Sequence, residues 1–173
     1  MSSLNHENLL KTHEAFISGS TLHIIIPLMN AGSLQNIIQY KYPSGIDDEN
    51  ILATILNETL KSLEYLHKNK LIHRDIKAGN ILFDMEGNIT LGDFGVATYL
   101  KEGRKKNSFV GSFCHMAPEI ISCYEGYDCK VLIIFKIEVD VWSIGITAIE
   151  MAQGKAPYQG SNQFEVFFLF KRR

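Results

Sequence analysis

Four side chains suited to phosphate chemistry lie within residues 71–95 of this chain (LIHRDIKAGNILFDMEGNITLGDFG). Asp75, Asn80 and Asp93 carry the oxygen ligands that Mg²⁺ prefers, and Lys77 supplies a cation for phosphate oxygens. Phosphoryl transfer needs positioning and charge neutralisation more than covalent help from the protein. The residue types therefore predict a magnesium-phosphate site in this stretch.

The elements around these residues are predicted to bring them together. Strand-like apolar runs occupy residues 80–83 and 89–91, and a turn at residues 86–88 joins them. Such a pattern predicts a β-hairpin. The hairpin would bring two carboxylates and an amide to one end, which is a good frame for a metal-phosphate site.

Length and composition limit the class of protein. The chain has 173 residues, which favours one domain, and its 46% hydrophobic content is enough for a core. Its net charge of -2 provides no strong basic field for nucleic acid or an anionic membrane.

The cysteines and the N-terminus indicate a reducing environment. Cys114, Cys123 and Cys129 are odd in number and lack CxxC spacing, so neither a disulfide framework nor a zinc site is predicted. We expect a cytoplasmic location. No signal peptide is evident, and the apolar runs are too short to span a membrane.

Strands and short helices are predicted for the first part of the chain. Residues 9–18 and 21–29 are predicted to form two strands joined by a turn at residues 18–20. Ser33 is a candidate N-cap for a short helix (LQNIIQYK), and a long helix is predicted over residues 48–68 with Asp47 as its N-cap.

The second part of the chain is predicted to combine a loop with one or two helices. Residues 96–116 show no sustained period and are predicted to form a long surface loop. A mostly buried helix is predicted over residues 139–151, ended by residues 153–154, and a further helix over residues 163–170. The apolar face of the first helix is assigned to Val141, Ile144, Ala148 and Met151.

The order of short motifs resembles that of protein kinases. His73-Arg74-Asp75, then Lys77 and Asn80, then Asp93-Phe94-Gly95 and finally Ala117-Pro118-Glu119 follow each other at family spacing. One such motif alone would be weak, because Asp and Asn favour turns in any case. Four linked motifs on a predicted helix, loop and hairpin make the resemblance specific.

The resemblance implies catalytic roles and cofactors. Asp75 would accept or orient the proton of the substrate hydroxyl, and Asp93 and Asn80 would hold the Mg²⁺ ions that bridge the phosphates of ATP. Lys77 would offset charge on the transferred phosphoryl group. A lysine two residues after the aspartate resembles Ser/Thr kinases, so the implied substrates are Ser and Thr hydroxyls of proteins. His73 is predicted to be a packed core residue rather than a ligand.

Longer segments resemble the germinal-centre-kinase group, close to its oxidative-stress-responsive branch. The matching text is SLEYLHKNKLIHRDIKAGNIL, SFVGSFCHMAPE and DVWSIGITAIEMAQGKAPY. The resemblance implies that Ile26 is the gatekeeper, that the backbone of Pro27 and Met29 faces adenine, and that Leu82 lies under the adenine ring. Pro27 replaces a common Glu but keeps the carbonyl that this position contributes.

Several residues are implied in regulation or peptide binding. Ser108 lies where the family often carries an activating phosphosite, set by an upstream kinase or by autophosphorylation, and its phosphate would pair with Arg74. Ser112 replaces the usual Thr of the substrate-facing segment and keeps the hydroxyl. Phe113 and His115 replace the usual Pro and Trp, and this affects the expectation for substrate docking.

The resemblance implies an α+β, kinase-like fold. Residues 1–29 are expected to be the remnant of a β small lobe with its hinge, and residues 30–173 a mainly helical large lobe with an insertion at 131–138. The Gly-rich loop and the strand lysine of the family are not in this sequence. We therefore expect weak Mg-ATP binding and slow transfer, and a catalytically inert docking module is the alternative to an active kinase core.

Overall fold

The computed structural model describes residues 4–99, 111–122, 137–162 and 165–166, which form short antiparallel sheets and a mainly helical body. Two single 3₁₀ turns lie at Ala78–Asn80 and Phe113–His115. In chain order the elements are β1 (Glu14–Ser18), β2 (Thr21–Ile25), β3 (Gly32–Ser33), α1 (Leu34–Lys41), α2 (Glu49–Lys68), β4 (Leu71–Ile72), β5 (Ile81–Phe83), β6 (Ile89–Leu91), β7 (Thr98–Tyr99), α3 (Pro118–Ser122) and α4 (Glu138–Gln153). The α+β fold class is confirmed.

The two N-terminal strands form an antiparallel hairpin, as predicted, although both are shorter than the predicted ranges. Ser18 pairs with Thr21, so Gly19 and Ser20 form the turn, and Gly19 has a φ of 61° that a glycine adopts without strain. Every residue of β1 and β2 is exposed. This hairpin, β1–β2, therefore buries little apolar surface against the described body.

Helix α2 supplies much of the core, and its first residue differs from the prediction. Asp48 rather than Asp47 is the N-cap, because the Asp48 side chain accepts a hydrogen bond from the Asn50 N–H at 2.8 Å. The predicted Asp47 cap is therefore wrong by one residue. Leu63 and Leu66 of this helix are fully buried in the main hydrophobic cluster.

The predicted hairpin near the candidate site is present as β5–β6, and β3 pairs with β5 to make a three-stranded sheet. Asp84 shapes the turn by accepting hydrogen bonds from the N–H groups of Glu86 and Asn88 at 3.1 and 2.8 Å. Ser33 caps α1 as predicted, through a capping box with Asn36. Strands β5 and β6 thus lie within residues 71–95, and β3 and α1 pack against the turn at Ala78–Asn80 that precedes β5.

Helix α4 extends over the predicted range and ends at Gly154, whose φ is 78°. The face assigned from its apolar residues is partly wrong, since Val141 is 55% exposed. The buried face instead contains several polar side chains, which are Asp140, Ser143, Thr147 and Glu150. Each of these side chains makes a hydrogen bond with a backbone group, which explains why it is buried.

The stretch predicted as a long surface loop takes part in the fold at both ends. Near its start β7 pairs with β4, and near its end His115 is buried. Residues 100–110, most of the predicted insertion and most of the predicted helix at 163–170 lie outside the described residues. Within the described residues, no helix is long and apolar enough to cross a membrane.

Candidate active site

The carboxylate of Asp75 is the centre of a compact polar cluster. Its Oδ1 accepts hydrogen bonds from the backbone N–H and the hydroxyl of Ser112, both at 2.8 Å. Its Oδ2 lies 2.9 Å from Lys77 Nζ and accepts a hydrogen bond from Asn80 Nδ2 at 3.0 Å. Lys77 Nζ also donates to the Ser112 hydroxyl at 2.8 Å. Four predicted site residues are thus brought together.

The electrostatics of this cluster keep Asp75 ionised. Burial alone would raise the pKa of its carboxyl, but hydrogen bonds from Lys77, Ser112 and Asn80, together with the Lys77 charge, lower the pKa below its ordinary value. A carboxylate that is ionised and fixed by several donors accepts a hydrogen bond from a hydroxyl in one defined direction.

His73 connects the loop of residues 73–80, which carries Asp75 and Lys77, to the segment that carries Asp93. Its side chain is fully buried, so the prediction of a packed core residue is confirmed. Nε2 donates to the Gly92 carbonyl at 2.9 Å, and Nδ1 accepts from the Asp75 N–H at 3.3 Å. Burial lowers the pKa of His73, so the imidazole is neutral, with its proton on Nε2.

The backbone of the loop is held by Asp140 of α4. This fully buried carboxylate accepts hydrogen bonds from the N–H groups of His73 and Arg74 at 3.0 and 2.9 Å, and His67 Nε2 lies 2.8 Å away. Arg74 has a φ of 70°, in the region that L residues seldom adopt, and this conformation costs free energy. The hydrogen bonds to Asp140 offset that conformational cost. Sequence reasoning did not identify Asp140 as a site residue. A charged residue within a mostly apolar helix could have indicated it, because a buried charge requires a partner.

Asn80 directly precedes β5 and Asp93 closely follows β6, so both lie at the open end of the β5–β6 hairpin, as predicted. Ile81 pairs with Leu91, and the Gly92 N–H donates to the Asn80 carbonyl at 2.9 Å, so Asp93 follows directly after a residue bonded to Asn80. Asp93 is exposed, with a φ of 56°, and its Oδ1 accepts from the Gly95 N–H at 3.2 Å.

These two side chains supply oxygen atoms that could hold a magnesium ion. Asn80 donates from its amide nitrogen to the backbone oxygen of Asp75 at 2.7 Å as well as to its carboxylate, so its amide oxygen is the atom left for a metal. Mg²⁺ in phosphate-transfer sites is held by one or two carboxylates, waters and substrate phosphates rather than by a full protein cage. The described residues contain no group of three His, Cys, Asp or Glu side chains that could hold a metal by themselves.

Comparison with known proteins agrees with this geometry. The protein kinase domain family matches residues 1–172. This chain belongs to the protein kinase domain family. Among curated proteins, the chain is similar to two from Dictyostelium discoideum: it is 44% identical to serine/threonine-protein kinase fray2 over 98% of its length and 42% identical to fray1 over 91%. It is 40% identical to germinal center kinase 3 of Caenorhabditis elegans over 98% of its length.

The kinase relatives are much longer than this chain. It spans 16% of fray2, 26% of fray1 and 30% of germinal center kinase 3. The identities confirm the resemblance to germinal-centre-type Ser/Thr kinases for the kinase-domain sequence. Because the chain spans less than a third of each relative, the activity of a whole protein is a proposal.

The structure connects two of the predicted adenine-side residues of this kinase domain, Met29 and Leu82. Leu82 pairs with Thr90 across the hairpin, and the Thr90 hydroxyl lies 3.7 Å from Met29 Sδ. Leu82 and Met29 therefore both neighbour Thr90. The Met29 carbonyl accepts from Gly32 N–H at 3.1 Å. Ile26 and Pro27 follow directly after β2, where Ile26 is exposed.

The segment that carries Ser112 closely approaches the loop of residues 73–80, which is the catalytic loop of this kinase domain. Gly111 has a φ of 109°, and a Cβ at this position would collide with the Arg74 carbonyl oxygen, so only glycine allows the approach. Arg74 Nε donates to the Val96 carbonyl at 2.7 Å. Ser108, the predicted phosphosite, lies outside the described residues.

Proposed function

We propose that this chain carries the catalytic centre of a Ser/Thr protein kinase, which transfers the γ-phosphoryl group of ATP to protein hydroxyls. One observation carries the proposal: the Asp75 carboxylate is held by Lys77, Asn80 and the Ser112 hydroxyl, within 2.8–3.0 Å. An ionised acceptor beside a cation is the arrangement that orients a hydroxyl next to a phosphate.

Each residue has a role in that reaction. Asp75 accepts the hydrogen bond of the attacking Ser or Thr hydroxyl and takes up its proton. Lys77 stabilises negative charge on the transferred group, and Ser112 holds both side chains in place. Asp93 and the amide oxygen of Asn80 would hold Mg²⁺, which neutralises phosphate charge when it is bound.

The same proposal assigns the nucleotide-binding and regulatory residues. Adenine is proposed to lie between the hinge backbone, at Pro27 and Met29, and Leu82, with Ile26 as the gatekeeper. Residues 1–29 then form the small-lobe and hinge part and residues 30–173 the large lobe, with 131–138 as an insertion.

Regulation and location complete the proposal. Phosphorylation of Ser108, by an upstream kinase or by autophosphorylation, would pair a phosphate with Arg74 and order the neighbouring segment. The substrates are proteins that carry Ser or Thr, and the proposed location is the cytoplasm.

Radiolabel transfer from ATP to a Ser- and Thr-containing protein such as casein tests the proposal. We expect Asp75→Asn to lower transfer by about 10²-fold or more, since it removes the proton acceptor. Asp47→Asn is the matched control, because Asp47 is exposed and distant in sequence from the catalytic cluster. Transfer that is equal in the wild type and in Asp75→Asn would contradict the assignment.

A thermal-shift measurement with and without Mg-ATP separates the enzyme from the inert docking module. A rise in Tm that requires both Mg²⁺ and ATP, and that Asp93→Asn abolishes, supports the enzyme. No change in Tm together with no Asp75-dependent transfer supports the inert alternative for this chain.

A further inference from the structure

Gln35, in the first turn of α1, carries a side-chain amide at the edge of the catalytic cluster. The side chain is partly buried, and its amide makes no hydrogen bond to any residue that the structure describes. The backbone beneath it is fixed, because Ser33 caps the helix and Leu34 and Ile38 are buried in the core. The Gln35 amide is therefore a positioned donor and acceptor that is available to a ligand.

Gly79 of the catalytic loop leaves the space that this amide occupies. A Cβ at position 79 would lie 2.9 Å from Gln35 Oε1, which is closer than packed atoms approach each other. The φ of Gly79 lies outside the left-handed region, so the backbone conformation does not itself require glycine here. The missing side chain at position 79 thus allows the Gln35 amide to lie directly over the loop.

The Gln35 amide also lies beside the side chain of Lys77. The same Cβ position on Gly79 is 3.6 Å from Lys77 Cε, and Lys77 Nζ lies 2.9 Å from Asp75 Oδ2. Only the end of the Lys77 side chain therefore separates Gln35 from the carboxylate that receives the substrate hydroxyl. Because an extended chain advances about 3.3 Å per residue, the amide reaches substrate residues up to about three positions from the accepting Ser or Thr.

This edge of the site is neutral. Helix α1 (LQNIIQYK) contains no acidic residue, and Gly79 contributes no side chain. A carboxamide offers one acceptor and two donors, which match the C=O and N–H groups of an extended peptide. Such a group selects a substrate by its backbone hydrogen bonds and not by the charge of its side chains.

We propose that Gln35 is a specificity-determining residue of the phosphoryl-transfer site, whose amide binds the backbone of the protein substrate beside the accepting Ser or Thr. Gly79 supplies the space for this contact. The assignment rests on the proposed function, because it takes Asp75 as the group that receives the hydroxyl. It implies that uncharged residues are accepted next to the acceptor and that an arginine there gains nothing.

Peptide binding to the whole chain without nucleotide tests the contact. The probe is a nine-residue peptide with a central serine flanked by alanine and glycine, titrated into the ¹⁵N-labelled chain and followed by NMR. We expect the side-chain NH₂ signal of Gln35 to shift, and Gln35→Ala to raise the Kd by about 3–10-fold. Gln39→Ala, one turn further along α1 at an exposed position, is the matched control and should leave the Kd unchanged. Alanine has the highest helix propensity, so both variants keep α1.

Gln35→Glu should change the preference of the site instead of abolishing binding. Six further peptides carry one arginine at each of the three positions on either side of the serine. In Gln35→Glu an arginine at one of these positions should tighten binding by about 10-fold over the neutral peptide, and in the wild type it should not. Gln39→Glu adds the same charge at the exposed position. An arginine preference that is equal in the two Glu variants, or absent from both, would overturn the proposal.

Gly79→Ala tests whether the space over the loop matters. Gln35 Oε1 is the end of a flexible side chain, so the added methyl should displace the amide and raise the Kd as much as Gln35→Ala does. The double variant should bind no more weakly than either single variant, because both substitutions remove one contact. Additive losses, or wild-type binding by Gly79→Ala, would contradict the assignment.

Rate measurements separate failure of this inference from failure of the proposed function. Where wild-type transfer is measurable, Gln35→Ala should raise the KM for the neutral peptide by about 3–10-fold, with kcat and the KM for ATP unchanged. A lower kcat with an unchanged peptide KM would overturn the proposal. Absence of Asp75-dependent transfer in the wild type would count against the proposed function alone, because the titrations still report on Gln35.

Discussion

The catalytic loop and the β1–β2 hairpin differ in how they are held. Backbone N–H groups of the loop donate hydrogen bonds to buried side chains of α4, whereas the side chains on both faces of the hairpin are exposed. Asp140 accepts from two N–H groups of the loop, those of His73 and Arg74, and Glu150 accepts from one, that of Ala78. The hairpin is held by its own ladder and by a His13 N–H···O Ile25 hydrogen bond of 2.8 Å.

The difference shows where the conformation of each region is specified. The loop contains a residue at positive φ, Arg74, that local preferences disfavour, and contacts distant in sequence maintain it. The hairpin has a local turn signal at Gly19 and β-branched residues, so its backbone follows from neighbouring residues. Substitutions that remove partners should therefore have large effects in the loop and small ones in the hairpin.

The largest effect is expected for Asp140→Ala. The substitution leaves the buried N–H groups of His73 and Arg74 without an acceptor, and we expect a loss of about 3–5 kcal/mol in the free energy of unfolding. Urea denaturation measures it, with Asp47→Ala as the exposed control, expected within about 0.5 kcal/mol of the wild type. A loss below about 1 kcal/mol for Asp140→Ala would show that the loop does not depend on α4.

The pH dependence of stability is the next largest effect, and His73 and His23 provide the comparison. Burial lowers the pKa of His73, so the unfolded chain binds its proton more readily than the folded chain. Stability from this group is present above the ordinary imidazole pKa and is lost as the pH falls below it. The slope contributed by one such group is at most about 1.4 kcal/mol per pH unit.

Replacing each histidine by leucine isolates this slope. We expect His73→Leu to flatten the fall in the free energy of unfolding between pH 7 and pH 5, since an apolar side chain binds no proton. His23→Leu, on the exposed hairpin where the ring stacks on Phe16, is the surface control for the same substitution. Equal slopes for the wild type and His73→Leu would contradict the buried neutral imidazole.

Motifs and periodic elements of this fold were predictable from sequence, and the contacts between them were not. The β5–β6 hairpin, the Ser33 cap and α2 follow from local turn chemistry, capping and period. The placement of Asp140 and Glu150 does not, since their partners are backbone groups more than sixty residues away. The face of α4 was misassigned at Val141 for this reason: polar acceptors, not apolar side chains, decide which side is buried.

A smaller effect is expected on the acidity of Asp75 itself. Lys77→Met removes a hydrogen bond and a charge that lower its pKa, so the pKa should rise and the carboxylate should protonate at higher pH than in the wild type. A ¹³C NMR titration of the Asp75 carboxyl measures the shift, with Lys155→Met as an exposed lysine control. An unchanged or lowered pKa in Lys77→Met would contradict the contact.

The smallest effect is expected in the hairpin, for Leu22→Thr. Leu22 is 60% exposed on β2, and threonine keeps a high β propensity, so the free energy of unfolding should change by no more than about 0.5 kcal/mol. Leu66→Thr in α2 is the buried counterpart, where loss of packing is expected to cost about 2–5 kcal/mol. Because apolar side chains on short, unprotected strands favour association, Leu22→Thr should also lower light scattering at high protein concentration. A loss for Leu22→Thr comparable with that for Leu66→Thr would mean that the hairpin side chains are covered in solution, and the contrast between the two regions would fail.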